Sequence, residues 1–179
     1  MTIVKHICKA ALLGAAIFAL PISAHAQFVS GGNAPTTISA DNADYQGNKT
    51  ILTGGVDVRQ ADVRVLADKM TVYSSGSGGL TENDFSRIVA EGNFYYLTTD
   101  QEVRGNKGVY TKVDDTFVVT GNVILKQDDG NIVTGDKLYY NLTTRNARVV
   151  GNCKGRKCGS KGRVNILIKN SNAVAGRDS

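Results

Sequence analysis

The residues of this chain that could carry chemistry are few, and two cysteines stand out among them. Cys153 and Cys158 lie in the segment Cys-Lys-Gly-Arg-Lys-Cys, with four residues between them. In an oxidising compartment a short loop of this kind favours a local disulfide, whereas a metal site would need further ligands. A redox-active pair would more usually be separated by two residues. We therefore predict a structural disulfide between Cys153 and Cys158, and no metal site.

Two pairs of adjacent carboxylates are the other candidates for chemistry. Asp114 and Asp115 form one pair, and Asp128 and Asp129 form the other. Enzymes that cleave glycosidic bonds use paired carboxylates, so a carbohydrate-active enzyme is one hypothesis. Adjacent residues of a strand point to opposite faces, however, and both pairs lie beside turn-forming residues. We interpret them as solvated acids of turns.

Histidine is confined to the first 26 residues of the chain. His6 and His25 are the two histidines of the sequence. Beyond them there can be no Ser-His-Asp triad, Cys-His pair or histidine-ligated metal, and the sequence contains no G-x-x-x-x-G-K-[ST] phosphate loop. We expect a protein that is not an enzyme and that has no cofactor.

The N-terminal segment has the pattern of a secretion signal. Lys5 and Lys9 give it a positive start, Ala10–Ile22 is largely apolar, and Ala24-His25-Ala26 is an A-x-A cleavage signature. A retained membrane anchor is the alternative, but the apolar stretch is short for a span of about 20 residues. We predict that residues 1–26 are cleaved, that the mature protein begins at Gln27, and that it resides in the periplasm.

The residues after this segment fit one domain with a modest core. We assign residues 27–37 to an N-terminal lead-in, residues 38–169 to the folded domain and residues 170–179 to a flexible tail. No second domain is expected.

Charge is unevenly distributed along the chain. Residues 27–152 contain 12 Lys and Arg against 15 Asp and Glu, whereas the residues after Asn152 contain seven basic side chains and one acid. A basic end of this kind binds nucleic acid, membrane surfaces or phosphorylated ligands, or is a solvated tail. Because the chain carries a secretion signal, we expect no nucleic-acid partner. The basic residues are Lys154, Arg156, Lys157, Lys161, Arg163, Lys169 and Arg177.

Glycines recur at a nearly regular interval, which indicates an internal repeat. Gly54, Gly92, Gly121 and Gly151 are separated by 38, 29 and 30 residues. We interpret Ser74–Gly79 as a flexible loop insertion that accounts for the long interval. A repeat of this length predicts paired strands joined by turns. The other half of each unit has an Asp or Asn followed by Lys and then a strand ending on tyrosine, in Leu66–Tyr73, Arg104–Tyr110 and Thr134–Tyr140, with a looser copy in Ala40–Tyr45.

Alternating hydrophobicity predicts the strands themselves. Apolar residues at 117, 119, 123 and 125 alternate with more polar ones on either side of a turn expected at Gly121-Asn122. Further turns are expected at residues 46–48 and 128–131. No stretch after the signal sustains a helical apolar period. The pattern predicts an all-β meander with one apolar face, folded on itself as a twisted sandwich or open partial barrel.

Several short motifs follow one another along the chain in a definite order and spacing. They are Ile38-Ser39-Ala40-Asp41, Leu52-Thr53-Gly54-Gly55-Val56, Ala67-Asp68-Lys69, Val119-Thr120-Gly121-Asn122-Val123 and Val133-Thr134-Gly135-Asp136-Lys137. In this order and spacing, the motifs resemble those of a known family, that of the OstA-like (organic solvent tolerance) domain. The resemblance extends from about Ile38 to Asn141, and Gly162–Ile168 resembles the last strand of the family.

The resemblance implies a twisted β-jellyroll, open at both ends, that carries lipopolysaccharide across the periplasm. Acyl chains exposed to water cost about 0.8 kcal/mol per CH₂, so the implied groove would keep the lipid A chains dry. The alternatives are a structural periplasmic scaffold and a membrane-anchored component of the same pathway. The lipid-binding residues implied are Ile38, Val56, Val58, Val65, Phe94, Tyr96, Val119, Val123 and Leu125.

The resemblance also implies contacts through the terminal strands. Copies would stack head to tail, and the same edges would pair with inner-membrane and outer-membrane components of lipopolysaccharide transport. Strand edges are normally blunted by proline or charge, and neither Thr36–Ala40 nor Val164–Ile168 contains either. The edge residues implied are Ile38, Val164, Ile166 and Ile168.

Overall fold

A computed structural model of the chain describes residues 34–76, 85–153, 155–158 and 162–169. These residues form one antiparallel sheet of ten strands and a single 3₁₀ turn at Arg156–Cys158, so the prediction of an all-β fold is confirmed. The predicted signal segment and the tail at 170–179 lie outside the described residues. The strands are β1 (Thr37–Ser39), β2 (Asn42–Gln46), β3 (Lys49–Gln60), β4 (Val63–Ser74), β5 (Phe85–Leu97), β6 (Gln101–Thr111), β7 (Thr116–Gln127), β8 (Ile132–Asn141), β9 (Ala147–Val150) and β10 (Asn165–Leu167).

The sheet is a meander in which β3 to β8 pair in sequence order. Each of its two edges is divided between two short strands. β2 and β1 pair with successive parts of β3, while β9 and β10 pair with successive parts of β8. The predicted loop insertion begins later than expected, because β4 continues through Ser74, whose side chain is buried. Residues 77–79 of that insertion lie outside the described residues.

The long strands are interrupted by β-bulges at matching positions. The register shifts at Gly54-Gly55 in β3, at Gly92-Asn93 in β5 and at Gly121-Asn122 in β7. A bulge bends its strand, so aligned bulges fold the sheet into two facing layers. The prediction of a turn at Gly121-Asn122 is therefore wrong. Both residues have the positive φ that turns require, but the chain continues in the same direction through β7.

The bulges explain the repeat in the sequence. The glycines at 54, 92 and 121 have φ values of +82°, +76° and +81°, which glycine adopts without steric cost. Over each glycine lies an Asp or Asn side chain of the neighbouring strand or strand break: Asp41 over Gly54, Asp68 over Gly92 and Asn106 over Gly121. The recurring glycine and the recurring Asp or Asn therefore pack against each other at each bulge.

We expect Gly92→Ala to destabilise the protein more than Gly47→Ala. Both glycines have positive φ, but a Cβ at Gly47 would meet no atom within 4 Å, whereas one at Gly92 would lie 2.9 Å from Cβ of Asp68. Two hydrogen bonds from Asn93 hold the Asp68 carboxylate in place. The free energy of unfolding, measured with urea, should be about 1–3 kcal/mol lower for Gly92→Ala than for Gly47→Ala. If both variants lose the same free energy of unfolding, only backbone strain matters at the Gly92 bulge.

The core lies between the two layers. Phe94 in one layer contacts Phe117 in the other, with ring centroids 5.3 Å apart, and Tyr96 lies at the same distance from Phe117. The side chains that join this cluster alternate with outward residues along every long strand. The structure is thus a twisted jellyroll whose interior is apolar and whose sheet is not closed.

Candidate functional site

An apolar row crosses the inner face of one layer from one edge of the sheet to the other. Cross-strand partners share a face, so following the register from strand to strand traces neighbouring side chains. The ends of this row are accessible, since Ile38 is 37% exposed and Ile166 is 65% exposed, while most of its middle is buried. In order, the row is Ile38, Val58, Val65, Tyr96, Val103, Leu125, Val133 and Ile166.

The structure brings together nearly all residues for which a lipid-binding role was predicted. Ile38 is the exception to full burial, since it lies on the edge strand β1 opposite Val58. Sequence reasoning gave Phe117, Leu138 and Tyr140 no lipid-binding role, although their period-2 parity placed them on the apolar face, and the structure has all three in the same interior. The predicted residues inside the buried cluster are Val56, Val58, Val65, Phe94, Tyr96, Val119, Val123 and Leu125.

A narrow cleft opens between the layers in the C-terminal half of the sheet. Four of its lining residues come from each layer. It has room for about one water molecule, far less than the roughly 300–1,000 Å³ that is usual for small-molecule pockets. A lipid with several acyl chains would therefore fit only if the layers moved apart. The lining residues are Tyr96, Gln101, Val103, Phe117, Leu125, Leu138, Tyr140 and Ala147.

The side of the interior opposite the bulges is bounded by two sets of turns, one set for each layer. In one layer, the amide of Asp128 donates to the carbonyl of Asp100 at 3.0 Å. In the other, the amide of Leu142 donates to the carbonyl of Asp115 at the same distance. Among the hydrogen bonds that join described residues, none connects a turn of one layer to a turn of the other. Apolar contacts hold the described layers together on this side.

The interior is electrically neutral. Among the described residues, the buried polar side chains are Thr50, Gln60 and Ser74 on the inner face and Thr71 on the outer face, and none of them is charged. Burial raises the pKa of Tyr96 to about 12, because the ionised phenolate would lose its hydration. A neutral interior accepts hydrocarbon without leaving a buried charge unpaired.

The paired carboxylates lie in turns, as predicted. Asp115 accepts a hydrogen bond from the hydroxyl of Tyr110 at 3.0 Å, and burial together with this hydrogen bond raises the pKa of Tyr110. Asp129 accepts from the backbone amide of Asn131 at 2.8 Å. These contacts give the acids a role in turn structure. Within the described ranges, no group of three or more His, Cys, Asp or Glu could hold a metal ion.

The structure joins Cys153 and Cys158 in a disulfide within the connection between β9 and β10. The amide of Cys153 also donates to the carbonyl of Gly162 at 2.8 Å, which draws the two ends of the connection together. The residues of the predicted C-terminal edge follow this loop. Ile166 is in β10, Val164 precedes it and Ile168 follows it, and all three are exposed. Lys154, Lys161 and Arg177 of the basic group lie outside the described residues.

The fold and its interior define a class of protein: an open-edged β-jellyroll with an apolar row that reaches both edges. In the part of the chain that the structure describes, no helix has the length and apolarity of a membrane span. A family model described as "LptA/(LptD N-terminal domain) LPS transport protein" matches residues 37–146. The chain belongs to this family. The resemblance to the OstA-like family is confirmed, and the prediction of a non-catalytic protein agrees with a family of transport proteins.

Known relatives support the same assignment. The lipopolysaccharide export system proteins LptA of Escherichia coli K12 and of Shigella flexneri are each 33% identical to this chain over 111 residues, which are 59% of either sequence. The match therefore spans 59% of the length of these relatives. The crystal structure of LptH, the LptA-homologous periplasmic component of the lipopolysaccharide transport device of Pseudomonas aeruginosa, superposes with a TM-score of 0.61 at 19% identity. That likeness covers 76% of this chain and 96% of LptH, and it shows the shared fold.

Proposed function

We propose that this protein is a periplasmic carrier of lipopolysaccharide that holds the lipid A acyl chains between its two layers. The observation that carries the proposal is the apolar row from Ile38 to Ile166, which crosses the sheet and is accessible at both ends. A core that served stability alone would have no need of accessible apolar ends. The hydrocarbon would replace the packing of one layer on the other, while the sugars and phosphates stayed in water.

Loading requires the layers to separate on the side of the turns. The absence of hydrogen bonds between the two sets of described turns makes this motion possible without breaking such bonds. Acyl chains would then pack against the apolar side chains that opening separates, each buried CH₂ contributing about 0.8 kcal/mol. Opening without lipid would expose the interior to water. The empty protein therefore stays closed.

The edge strands would connect the carrier to its neighbours. Thr37–Ser39 and Asn165–Leu167 are the terminal strands of one layer, and pairing at these edges would extend the apolar row into a second molecule. A contact between unlike edges does not close on itself, so it generates filaments. We propose head-to-tail self-association, and pairing of the same edges with the inner-membrane and outer-membrane components of lipopolysaccharide transport.

Binding of acylated and deacylated lipopolysaccharide by the purified mature protein tests this function. We expect native mass spectrometry to show a complex with intact lipopolysaccharide, and none with the matched saccharide from which the acyl chains have been removed. Equal binding of both would place recognition on the sugar and contradict the interior site. If neither binds, the protein is a structural scaffold.

Fractionation of cells that express residues 1–179, with intact-mass measurement of the protein in each fraction, tests processing and location. Cleavage after Ala26 yields a chain that begins at Gln27 in the soluble periplasmic fraction. A species that retains residues 1–26 and fractionates with the membrane would instead support the membrane-anchored alternative.

A further inference from the structure

The two edges of the sheet are complementary in direction and in shape. Strands β3 to β8 alternate in direction, so the edge formed by β1 and β2 runs antiparallel to the edge formed by β9 and β10. In a translated second copy, β2 would lie beside β9 in one layer and β1 beside β10 in the other. The strand break at Ala40-Asp41 would then face the connection between β9 and β10.

The cross-strand register identifies which residues of the two edges are level with one another. On the outer face, one row begins at Asp44 of β2 and ends at Arg148 of β9. Strands β3 to β8 each contribute one residue between these two ends. In order, these residues are Ile51, Thr71, Val89, Val109, Val118 and Tyr139.

The charges of these two positions are opposite and isolated. Asp44 is the only charged residue of β2, and Arg148 is the only charged residue of β9. Both are exposed, and among the described residues neither takes part in an ion pair within its own chain. An opposite-charge pair placed directly across two strands is stabilising, whereas a lone charge facing an apolar neighbour is not.

The inner face shows a second complementarity at the same level. The row that begins at Tyr45 of β2 ends at Ala147 of β9. Tyr45 is 68% exposed although its partner Thr50 is buried, and Ala147 lines the cleft between the layers. A large exposed side chain at one edge is thus level with a small one at the other.

We propose that copies of this chain pair in the register that continues both rows, with Asp44 of one copy bonded to Arg148 of the next and Tyr45 of the first copy covering Ala147 of the second. This inference rests on the head-to-tail association proposed above and adds its register and its specificity. A shift by two residues would place Asp44 opposite Val150, and a shift by one would turn the apolar inner residues outward.

Cysteine crosslinking of the mature full-length chain tests the register. In the double variant Asp44→Cys with Arg148→Cys, directly opposed positions come close enough for a disulfide, so oxidation should give a ladder of covalent oligomers on a non-reducing gel. The matched control is Asp44→Cys with Val150→Cys, which moves one cysteine two residues along the same face of β9. We expect at least about tenfold less crosslinking from the control, since diagonal positions are roughly 7–8 Å apart.

The outcomes separate this inference from the proposed function. A ladder from the control alone would overturn the register and leave edge pairing intact. A wild type that associates by light scattering, with a ladder from neither variant, would also overturn the register. A wild type that remains monomeric at high concentration would remove both the register and the proposed self-association.

Charge exchange tests specificity independently. Arg148→Glu should weaken association about three- to tenfold at low salt, since it opposes two acids, and the same chain carrying Asp44→Lys as well should recover. The control is Arg145→Glu, an exposed position in the turn before β9, which should leave association unchanged. Failure of the double exchange to recover association would contradict the ion pair.

Discussion

Replacing Phe94 with alanine should lower the free energy of unfolding by about 3–5 kcal/mol, the loss usual for a buried aromatic ring. Phe94 is 1% exposed and contacts Phe117 across the two layers. Its ring also covers Gly108, where an added Cβ would lie 2.5 Å from the ring. The glycine leaves the space that the ring fills, so the surrounding structure cannot close around the cavity without bending β6.

The control for this variant is the neighbouring Tyr95→Ala. Tyr95 lies on the outer face of the same strand, where Arg104 stacks over its ring at 5.0 Å. An exposed cation–π contact contributes about 0.5–1 kcal/mol, so urea unfolding should separate the two variants by at least about 2 kcal/mol. Similar losses from Phe94→Ala and Tyr95→Ala would mean that the inner and outer faces have been assigned wrongly.

Replacing Ile166 with proline should abolish head-to-tail assembly. Proline cannot donate a backbone hydrogen bond and is poorly tolerated between paired strands. β10 pairs with β8 through only three residues, so the disturbance should remain at the edge and leave the central strands folded. Concentration-dependent light scattering should show oligomers for the wild type and monomers for the variant.

Ile166→Ala is the control, because it shortens the side chain and keeps the amide. It should retain assembly, weakened to the extent that the apolar contact contributes. Circular dichroism and the unfolding midpoint of both variants should stay close to those of the wild type. If the proline variant associates as the wild type does, edge pairing does not use β10.

Much of the fold follows from local patterns. Alternation along residues 117–125 predicted an inward and an outward face, and the structure has Val119 and Val123 fully buried on the inner one. The turn-forming residues Gln46-Gly47-Asn48 were also enough to predict the turn, because two residues join β2 to β3 there. Local patterns of this kind depend on neighbours along the chain.

The parts that could not be predicted depend on neighbours in space. Gly121-Asn122 has the composition of a turn, and only the Asn106 side chain packed over Gly121 shows that it is a bulge within a continuous strand. The division of each edge into two short strands could not be predicted from the sequence either. Whether Ile38 and Ile166 belong to one row depends on the registers of all intervening strand pairs, and a single sequence does not contain those registers.

Photocrosslinking from single positions in the mature protein tests whether acyl chains lie between the layers. A benzophenone side chain would replace Phe94 or Ile38 on the inner face, and Tyr95 or Ile124 on the outer face, in protein loaded with lipopolysaccharide. We predict covalent lipid adducts from the two inner positions and none from the two outer ones. Adducts from the outer positions alone, or from none of the four in protein that remains folded, would contradict a lipid-carrying interior.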